Sequence, residues 1–249
     1  MTPKQKSRLA ALTGLVIFGT AWQLASKLVG EYWVPGIGDV LQRLWKEFQE
    51  GKLVVDIAST TQLLLVGTAL GAAGGCTLAC LLRLSSRLDA LMQPFVTALM
   101  SVPKLGLVPL LVLWFGTGWT PKVMLVALTV LFIVFALTYS GLITVDARLV
   151  MTARVLGASP GQVTRSIVIP SVLPFAFTGL QVALPWAVSA ALVAEYLAAK
   201  TGVGHSLEQA RQMSDSVGVY CGIVVATLLV LACNAALAAV RKLSIRSTP

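Results

Sequence analysis

The sequence predicts an all-α membrane protein that crosses the bilayer with about six helices. Hydrophobic residues make up 57% of the 249 residues and charged residues only 12%, whereas soluble domains carry about 25% charged residues. The mean hydropathy is +0.84. The apolar residues form long runs, and most of these runs have the roughly 20 residues that a helix needs to cross the hydrocarbon core.

The runs define six expected spans. The first run follows Lys4, Lys6 and Arg8, as in a signal peptide, but it is long for one and lacks a convincing cleavage site, so we interpret it as a retained span. The third run is the least regular because Pro103 and Pro109 interrupt it. Backbone groups that a proline frees must be satisfied by protein or by a water-lined cavity. Within a single transmembrane domain, 1–249, the expected spans are 9–27, 60–82, 90–114, 121–142, 170–198 and 217–240.

Charge predicts that both termini are cytoplasmic. With that orientation the inner segments contain eleven cationic side chains and two carboxylates, whereas the outer segments contain seven of each. The whole net charge of +9 then lies on one side, which is the positive-inside pattern and which excludes nucleic-acid binding as its explanation. The inner charges are Lys4, Lys6, Arg8, Arg83, Arg87, Arg148, Arg154, Arg165, Arg241, Lys242 and Arg246, with Asp89 and Asp146.

Two outer segments are predicted to contain structure. Apolar residues recur at helical spacing from Ile37 to Phe48, with polar residues on the opposite face. We expect this amphipathic helix to lie on the outer membrane surface with Trp45 at the headgroup level; docking of a partner is the alternative. Gly202 and Gly204 open a later segment that is either a re-entrant gating element or an ordinary turn.

A glycine stripe marks the second span. Gly67, Gly71 and Gly75 repeat at four-residue spacing, and small residues on one face let a second backbone approach closely. The stripe predicts a packed helix face, with the partner helix in this chain or in another.

The loop 143–169 is expected to hold two short helices around a glycine turn on the cytoplasmic side. The first helix follows Asp146 and ends at Gly157, a residue type that favours a helix C-terminal cap. Ser159 and Pro160 suit the N-cap and the first position of the second helix. Exposed apolar residues at such a surface indicate docking of a partner. The apolar stripe consists of Leu149, Ala153 and Leu156.

This loop resembles the EAA loop of binding-protein-dependent ABC transporter permeases, whose pattern is E-A-A-x3-G-x9-I-x-L-P. Met151 stands where the family has its glutamate, and Thr152 replaces the first alanine, which weakens any salt bridge that the glutamate makes to a partner. The matching residues are Ala153, Gly157, Ile167 and Pro170, with Ile169 as a conservative change. The resemblance implies an ATPase-coupling role for Met151, Ala153, Leu156, Gly157, Ala158, Ser159, Ile167 and Pro170.

Other stretches are similar to the nitrate/sulfonate/taurine-type branch of that family. The resemblance implies the ABC importer permease (MetI-like) fold and a multi-pass location in the bacterial inner membrane. It also implies a pathway-forming permease homodimer that works with two ATP-binding cassette subunits and an extracytoplasmic substrate-binding protein. The similar stretches follow the family order over about four-fifths of the chain, at 34–39, 101–110, 113–118, 194–195 and 202–204.

No cofactor, metal ion or catalytic residue is expected in this chain. It contains no G-x-x-x-x-G-K-[ST] sequence to cradle a nucleotide, so ATP and Mg²⁺ are expected on the partner ATPase and the chain itself is not expected to be an enzyme. His205 is the only histidine and has no triad partner in the sequence. The four cysteines lie in apolar runs and are expected to be buried, inert thiols: Cys76, Cys80, Cys221 and Cys233.

Two charges fall within or at the edge of predicted spans, and each has two interpretations. A lysine at mid-bilayer costs about 2.5–3.5 kcal/mol, so Lys104 is expected to face an interior, a cavity or a partner. It either attracts an anion on the substrate pathway or is neutralised by Glu195 or by carbonyl groups freed at Pro103. The expected substrate is a small anion or an organosulfonate-like compound, although similar permeases also serve uncharged or cationic heterocycles.

Two other classes of protein remain as alternatives. An ion-gradient-driven secondary transporter usually shows inverted repeats and broken helices with paired binding residues, and the sequence has no convincing internal repeat. An intramembrane enzyme needs a catalytic dyad or a metal cluster within the spans, and the predicted spans contain no histidine and no carboxylate pair.

Overall fold

A computed structural model describes residues 3–246, apart from the side chains at positions 3–8, 10, 11, 15, 86, 198 and 243–246. All regular elements in that range are helical. Five helical segments are long and apolar enough to cross a membrane, or six with one bent pair counted as a span. The prediction of an all-α protein with about six spans is therefore confirmed. The side chains of the predicted inner cations Lys4, Lys6, Arg8 and Arg246 lie outside the described set.

Five of the predicted spans correspond to single long helices, α1, α3, α6, α9 and α11. The second span begins earlier than predicted, at Lys52 rather than at residue 60, and Asp56 and Thr60 near its start accept hydrogen bonds from residues 202–206. The helices are α1 (Pro3–Val29), α2 (Ile37–Gln49), α3 (Lys52–Arg83), α4 (Ser86–Ser101), α5 (Val108–Phe115), α6 (Trp119–Ile143), α7 (Ala147–Val155), α8 (Pro160–Val163), α9 (Ile169–Ala198), α10 (Val203–Gln212) and α11 (Ser216–Arg246). A 3₁₀ turn, Lys104–Leu107, precedes α5, and a π turn, Thr164–Val168, joins α8 to α9.

The third predicted span is two helices rather than one. The segments Arg87–Ser101 and Lys104–Phe115 meet at an angle of 82°. Pro103 lacks a backbone N–H, and the residue before a proline is driven out of the helical region. Val102 is accordingly extended, with ψ of 130°. The single span expected at 90–114 is thus wrong in its interior, because the proline breaks the helix.

The centre of the fold is the packing of α3 and α9 on α6. The glycine stripe of α3 lies directly on α6: a Cβ at Gly67, Gly71 or Gly75 would come within 2.5–2.6 Å of α6 atoms. The partner of the stripe is therefore in the same chain. Buried residues from all three helices fill the remaining space, among them Leu63, Leu64, Val126, Val130, Ala187 and Ala191.

The amphipathic helix predicted from Ile37 to Phe48 is confirmed as α2, and its position on the outer membrane surface stays a prediction. Its Val40 is buried, whereas Trp45 is exposed. Arg43 joins α2 to the turn before α11 through Asp215, with an N–O distance of 3.3 Å. Of the four cysteines expected to be buried, Cys221 is buried, Cys76 and Cys233 are half-buried and Cys80 is exposed. Cys80 is exposed since it follows the buried Ala79 by about 100° around the helix.

Candidate functional site

The loop 143–169 closes α7 with a glycine cap. Gly157 has φ of +85°, a conformation that costs an L-residue with a side chain about 1–2 kcal/mol. Its N–H donates to the Arg154 carbonyl and the Ala158 N–H donates to the Ala153 carbonyl, each at 3.0 Å. This is the Schellman pair of hydrogen bonds, so the helix end is satisfied within the loop.

Side chains cap the starts of both loop helices. The Asp146 carboxylate accepts a hydrogen bond of 2.8 Å from the Arg148 N–H. Ser159 and Gln162 form a reciprocal capping box, and Pro160 occupies the first position of α8. The local prediction of a helix, a glycine turn and a second helix is confirmed, and the loop is held by its own hydrogen bonds.

The exposed face of this loop is largely apolar. Val155 is 82% exposed and Leu156 81% exposed, and Leu149 and Met151 are also exposed. Ala153 is half-buried. Met151 and Val155 lie about 100° or more around α7 from the stripe of Leu149, Ala153 and Leu156, so the exposed apolar side chains are not confined to the predicted stripe. Sequence reasoning did not single out Val155, because it lies off the stripe spacing. We call Leu149, Met151, Val155 and Leu156 the loop surface. The neighbouring exposed cations are Arg148, Arg154 and Arg165.

The other coupling candidates lie on the route from the loop surface to α9. Ala158 and Ile167 are half-buried, and Pro170 lies in the first turn of α9. The π turn keeps this route helical, and Pro160–Leu197 forms one helical segment of 38 residues. A displacement of the loop therefore acts directly on the long helix α9.

A buried polar cluster lies at the opposite end of α9. Glu195 is 0% exposed, and its carboxylate accepts hydrogen bonds from the Thr60 hydroxyl at 2.9 Å and from the Gly204 N–H at 3.0 Å. The Thr60 oxygen accepts in turn from the Val203 N–H at 2.9 Å. Because unpaired buried donors are costly, these contacts fix α3 and α9 to the start of α10.

Asp56 completes this cluster. Its carboxylate accepts from the Gly202 N–H at 2.8 Å and from the Ser206 hydroxyl. Gly202 has φ of +120°, and a Cβ there would overlap the Glu195 carboxylate. We call Asp56, Thr60 and Glu195, with residues 202–206, the outer polar cluster. Its oxygen atoms accept hydrogen bonds from N–H groups that every helix leaves unpaired at its start. The segment that Gly202 and Gly204 open is therefore a packed helix, α10, and not an ordinary turn.

Sequence reasoning missed two members of the outer polar cluster. The charge pattern places Asp56 among the seven carboxylates of the outer segments, and the expected second span begins at Thr60. Their spacing of four residues places them on one helix face, which was the available signal. Among the described residues, no group of three or more His, Cys, Asp or Glu side chains is placed to hold a metal ion.

Lys104 and Glu195 belong to different sites. The Lys104 ammonium donates to the Met100 carbonyl and lies 5.3 Å from the centroid of the Phe132 ring. Glu195 is occupied by the outer polar cluster. The ion pair with Glu195 that the sequence left open is therefore not formed, whereas a hydrogen bond from the ammonium group to a backbone carbonyl at the helix break is present. Beside Lys104 lies a cavity of about 440 Å³.

Relatives with curated names are ABC permeases. A Brucella melitensis biotype 1 protein named as a probable ABC transporter permease is 30% identical over 208 residues, which cover 84% of each chain. The formylaminopyrimidine transport permease of Halalkalibacterium halodurans is 28% identical, with 84% of this chain and 83% of that protein covered. The taurine transport system permease of Escherichia coli K12 is 26% identical, with coverage of 94% and 86%.

Solved structures show the same fold. A chain of the MetNI methionine ABC transporter superposes with a TM-score of 0.61 at 17% identity, over 76% of this chain and 95% of that chain. A chain of a bacterial importer of the acidic polysaccharide alginate gives 0.64 at 15% identity, over 94% and 96%. Residues 68–248 match the family described as binding-protein-dependent transport system inner membrane component. The chain therefore belongs to this family of multi-pass inner membrane permeases of ABC importers, in its nitrate/sulfonate/taurine-type branch.

Proposed function

We propose that this chain, as a homodimer, forms the translocation pathway of an ATP-driven importer and is coupled to two cytoplasmic ATP-binding cassette subunits through α7 and α8. An extracytoplasmic binding protein delivers the substrate to the outer side. ATP and Mg²⁺ are held by the ATPase subunits, so the permease itself performs no catalytic step. Both termini lie on the cytoplasmic side in this arrangement, as the charge distribution favours.

The loop surface is the observation that carries this proposal. Four apolar side chains project from a short helix whose two ends are already capped. Burying apolar area in a groove contributes about 25 cal/mol per Å², and a helix closed by its own hydrogen bonds loses little further conformational entropy on docking. The helical route into α9 gives the docked loop a direct connection to a membrane span.

Family membership decides against the two alternatives that the sequence left open. Neither an ion-gradient-driven secondary transporter nor an intramembrane enzyme fits a chain whose residues 68–248 match an ABC importer family. The absence of a nucleotide-cradling sequence supports a separate ATPase as the energy source.

We further propose that the substrate is a small organic anion. One relative is named as a taurine permease, which supports this class. Another relative of similar identity is named for a different compound, formylaminopyrimidine. The choice of an anion depends on Lys104, because a lysine inside the membrane repels cations from its surroundings.

Copurification from mild detergent tests the coupling. We expect the tagged permease to retain an ATP-hydrolysing subunit, and Leu156→Asp to lose it, because a carboxylate cannot enter an apolar groove without a large desolvation cost. The matched control is Leu84→Asp, a change at the end of α3 where the leucine is 79% exposed. The proposal fails if the wild-type permease elutes alone, or if both variants retain the ATPase equally.

A further inference from the structure

We propose that the break in the third span contains a binding subsite for a small organic anion with an apolar body, in which Lys104 holds the anionic group. The inference rests on the proposed function, since such a subsite has a use only on a translocation pathway. The subsite gives the permease a substrate selectivity of its own, in addition to the selectivity of the binding protein outside the membrane.

The charge of Lys104 is only partly compensated. Among the described residues, no carboxylate lies within 4.0 Å of its Nζ atom. An ammonium group has three donors; one is used on the Met100 carbonyl, and the face of the Phe132 ring lies 5.3 Å away. Donor capacity and positive charge therefore remain for an anion.

The backbone at this position also disfavours contact with lipid. Arg87–Ser101 and Lys104–Phe115 form the bent pair, and irregular backbone at membrane depth is tolerated only inside protein or along a water-filled cavity. The second segment begins at Lys104, so the positive end of its helix dipole lies beside the ammonium group. The cation and the broken helix are two independent features, and both favour a position of this segment in the wall of an aqueous cavity.

The cavity beside Lys104 indicates the shape of the ligand. Its volume of about 440 Å³ lies within the usual range for small-molecule sites. Thr129 donates its only hydroxyl proton to the Leu125 carbonyl at 2.8 Å, so it offers the ligand only an acceptor. Trp186, 58% exposed, supplies an aromatic wall. The lining residues are Val102, Pro103, Lys104, Leu105, Thr129, Ile133 and Trp186.

These features fit one class of compound. A single cationic donor group surrounded by apolar walls suits a monoanionic head, such as a sulfonate or a carboxylate, attached to an aliphatic or aromatic body. A cation meets repulsion from Lys104. A neutral alcohol accepts a hydrogen bond from the ammonium group but adds no attraction between opposite charges.

Tryptophan fluorescence of the purified permease tests the subsite. We titrate with butane-1-sulfonate, butan-1-ol and butylammonium, which share one apolar body and differ in charge. We expect only the sulfonate to change the fluorescence, and the change to disappear in Trp186→Phe. In Lys104→Met the affinity for the sulfonate should fall by at least about tenfold, since hydrogen bonds to charged groups contribute about 1.5–3 kcal/mol.

Two variants control this measurement. Lys104→Arg keeps the charge and should bind within about threefold of wild type, since guanidinium and ammonium both pair with anions. Lys46→Met makes the same chemical change on α2, where the lysine side chain is 68% exposed, and should bind as wild type does. If Lys104→Met does not fold, the charge preference of the wild-type protein among the three probes remains decisive.

The subsite proposal is wrong if Lys104→Met binds the sulfonate as tightly as wild type, if butylammonium binds equally well, or if wild-type fluorescence does not respond. None of these results depends on an ATPase, because the titration uses the permease alone. Failure of the subsite is therefore distinguishable from failure of the coupling, which the copurification measures.

Discussion

The two ends of α9 differ in where their hydrogen bonds come from. At the outer end, Glu195 is fully buried and its partners, Thr60 and Gly204, belong to other helices. At the other end, the caps around Gly157 and Ser159 join residues close in sequence, and the apolar side chains beside them are exposed. One end is fixed to its neighbours, and the other has exposed apolar side chains.

This difference indicates how a motion passes through the permease. Breaking a buried hydrogen bond leaves an unpaired polar group, which costs about 1–3 kcal/mol of free energy. We therefore expect α3, α9 and the start of α10 to move as one unit. In the part of the chain that the structure describes, the loop surface is not held by comparable buried hydrogen bonds, so in the proposed complex it is free to follow a docked subunit. We infer that a pull on α7 and α8 turns α9 and carries the outer polar cluster with it.

Substitution of two glycines with positive φ should give the largest difference in stability between the two ends. Gly202→Ala adds backbone strain and an overlap with the Glu195 carboxylate, and together these should cost more than about 3 kcal/mol. Gly157→Ala has nothing within 4 Å of its new Cβ, so only strain of about 1–2 kcal/mol is expected. Thermal unfolding in detergent measures both, and equal melting temperatures would show that the outer end is no more rigid than the loop.

Local features were predictable because their signals are local. Gly157 followed by Ser159 and Pro160 defines two caps within four positions, and the structure has both. The glycine stripe at Gly67, Gly71 and Gly75 likewise predicts a packed face from spacing alone. The choice of α6 as its partner was not predictable, since many helices present an apolar face that accepts a glycine stripe.

The outer polar cluster was not predictable because it depends on contacts distant in sequence. Thr60 and Glu195 are 135 positions apart, and nothing near either residue identifies the other. The charge-based orientation counted Asp56 as a loop residue because a carboxylate is normally exposed. The break at Pro103 was visible as a disturbance of the span, but a proline does not specify the bend angle or the cavity that results.

A pair of threonines on α3 gives the next largest effect. Thr60→Val removes a donor to Glu195 and the acceptor of the Val203 N–H, and should destabilise the protein by about 1–3 kcal/mol. Thr68 provides a matched control, since its buried Oγ1 atom has no hydrogen-bond partner among the described residues. Thr68→Val should leave the melting temperature unchanged or raise it. Comparable losses of stability in both variants would show that the outer polar cluster is not the source of the rigidity.

The smallest expected effect lies at the far end of α10, in a surface ion pair of which the Arg211 side chain is 57% exposed and Glu208 is buried. The Arg211 guanidinium donates two hydrogen bonds to Glu208, at 2.7 and 2.8 Å, and lowers the pKa of this carboxyl to about 2 from an ordinary value of 4.5. A lowered pKa in the folded state stabilises the protein above the unfolded value, and this contribution is lost as the pH falls from about 4.5 towards 2.

Melting temperatures of wild type and Glu208→Gln between pH 5 and about pH 3 isolate this contribution. Other carboxylates titrate in the same range, so the informative quantity is the difference between the two curves. We expect the variant to melt lower than wild type at pH 5, and the gap to narrow on acidification. Because exposed pairs contribute little, the gap at pH 5 should be smaller than the loss in Thr60→Val. A gap that stays constant with pH would mean that Glu208 acts through packing, and a gap as large as that of Thr60→Val would mean that the surface pair fixes α10 as firmly as the buried cluster does.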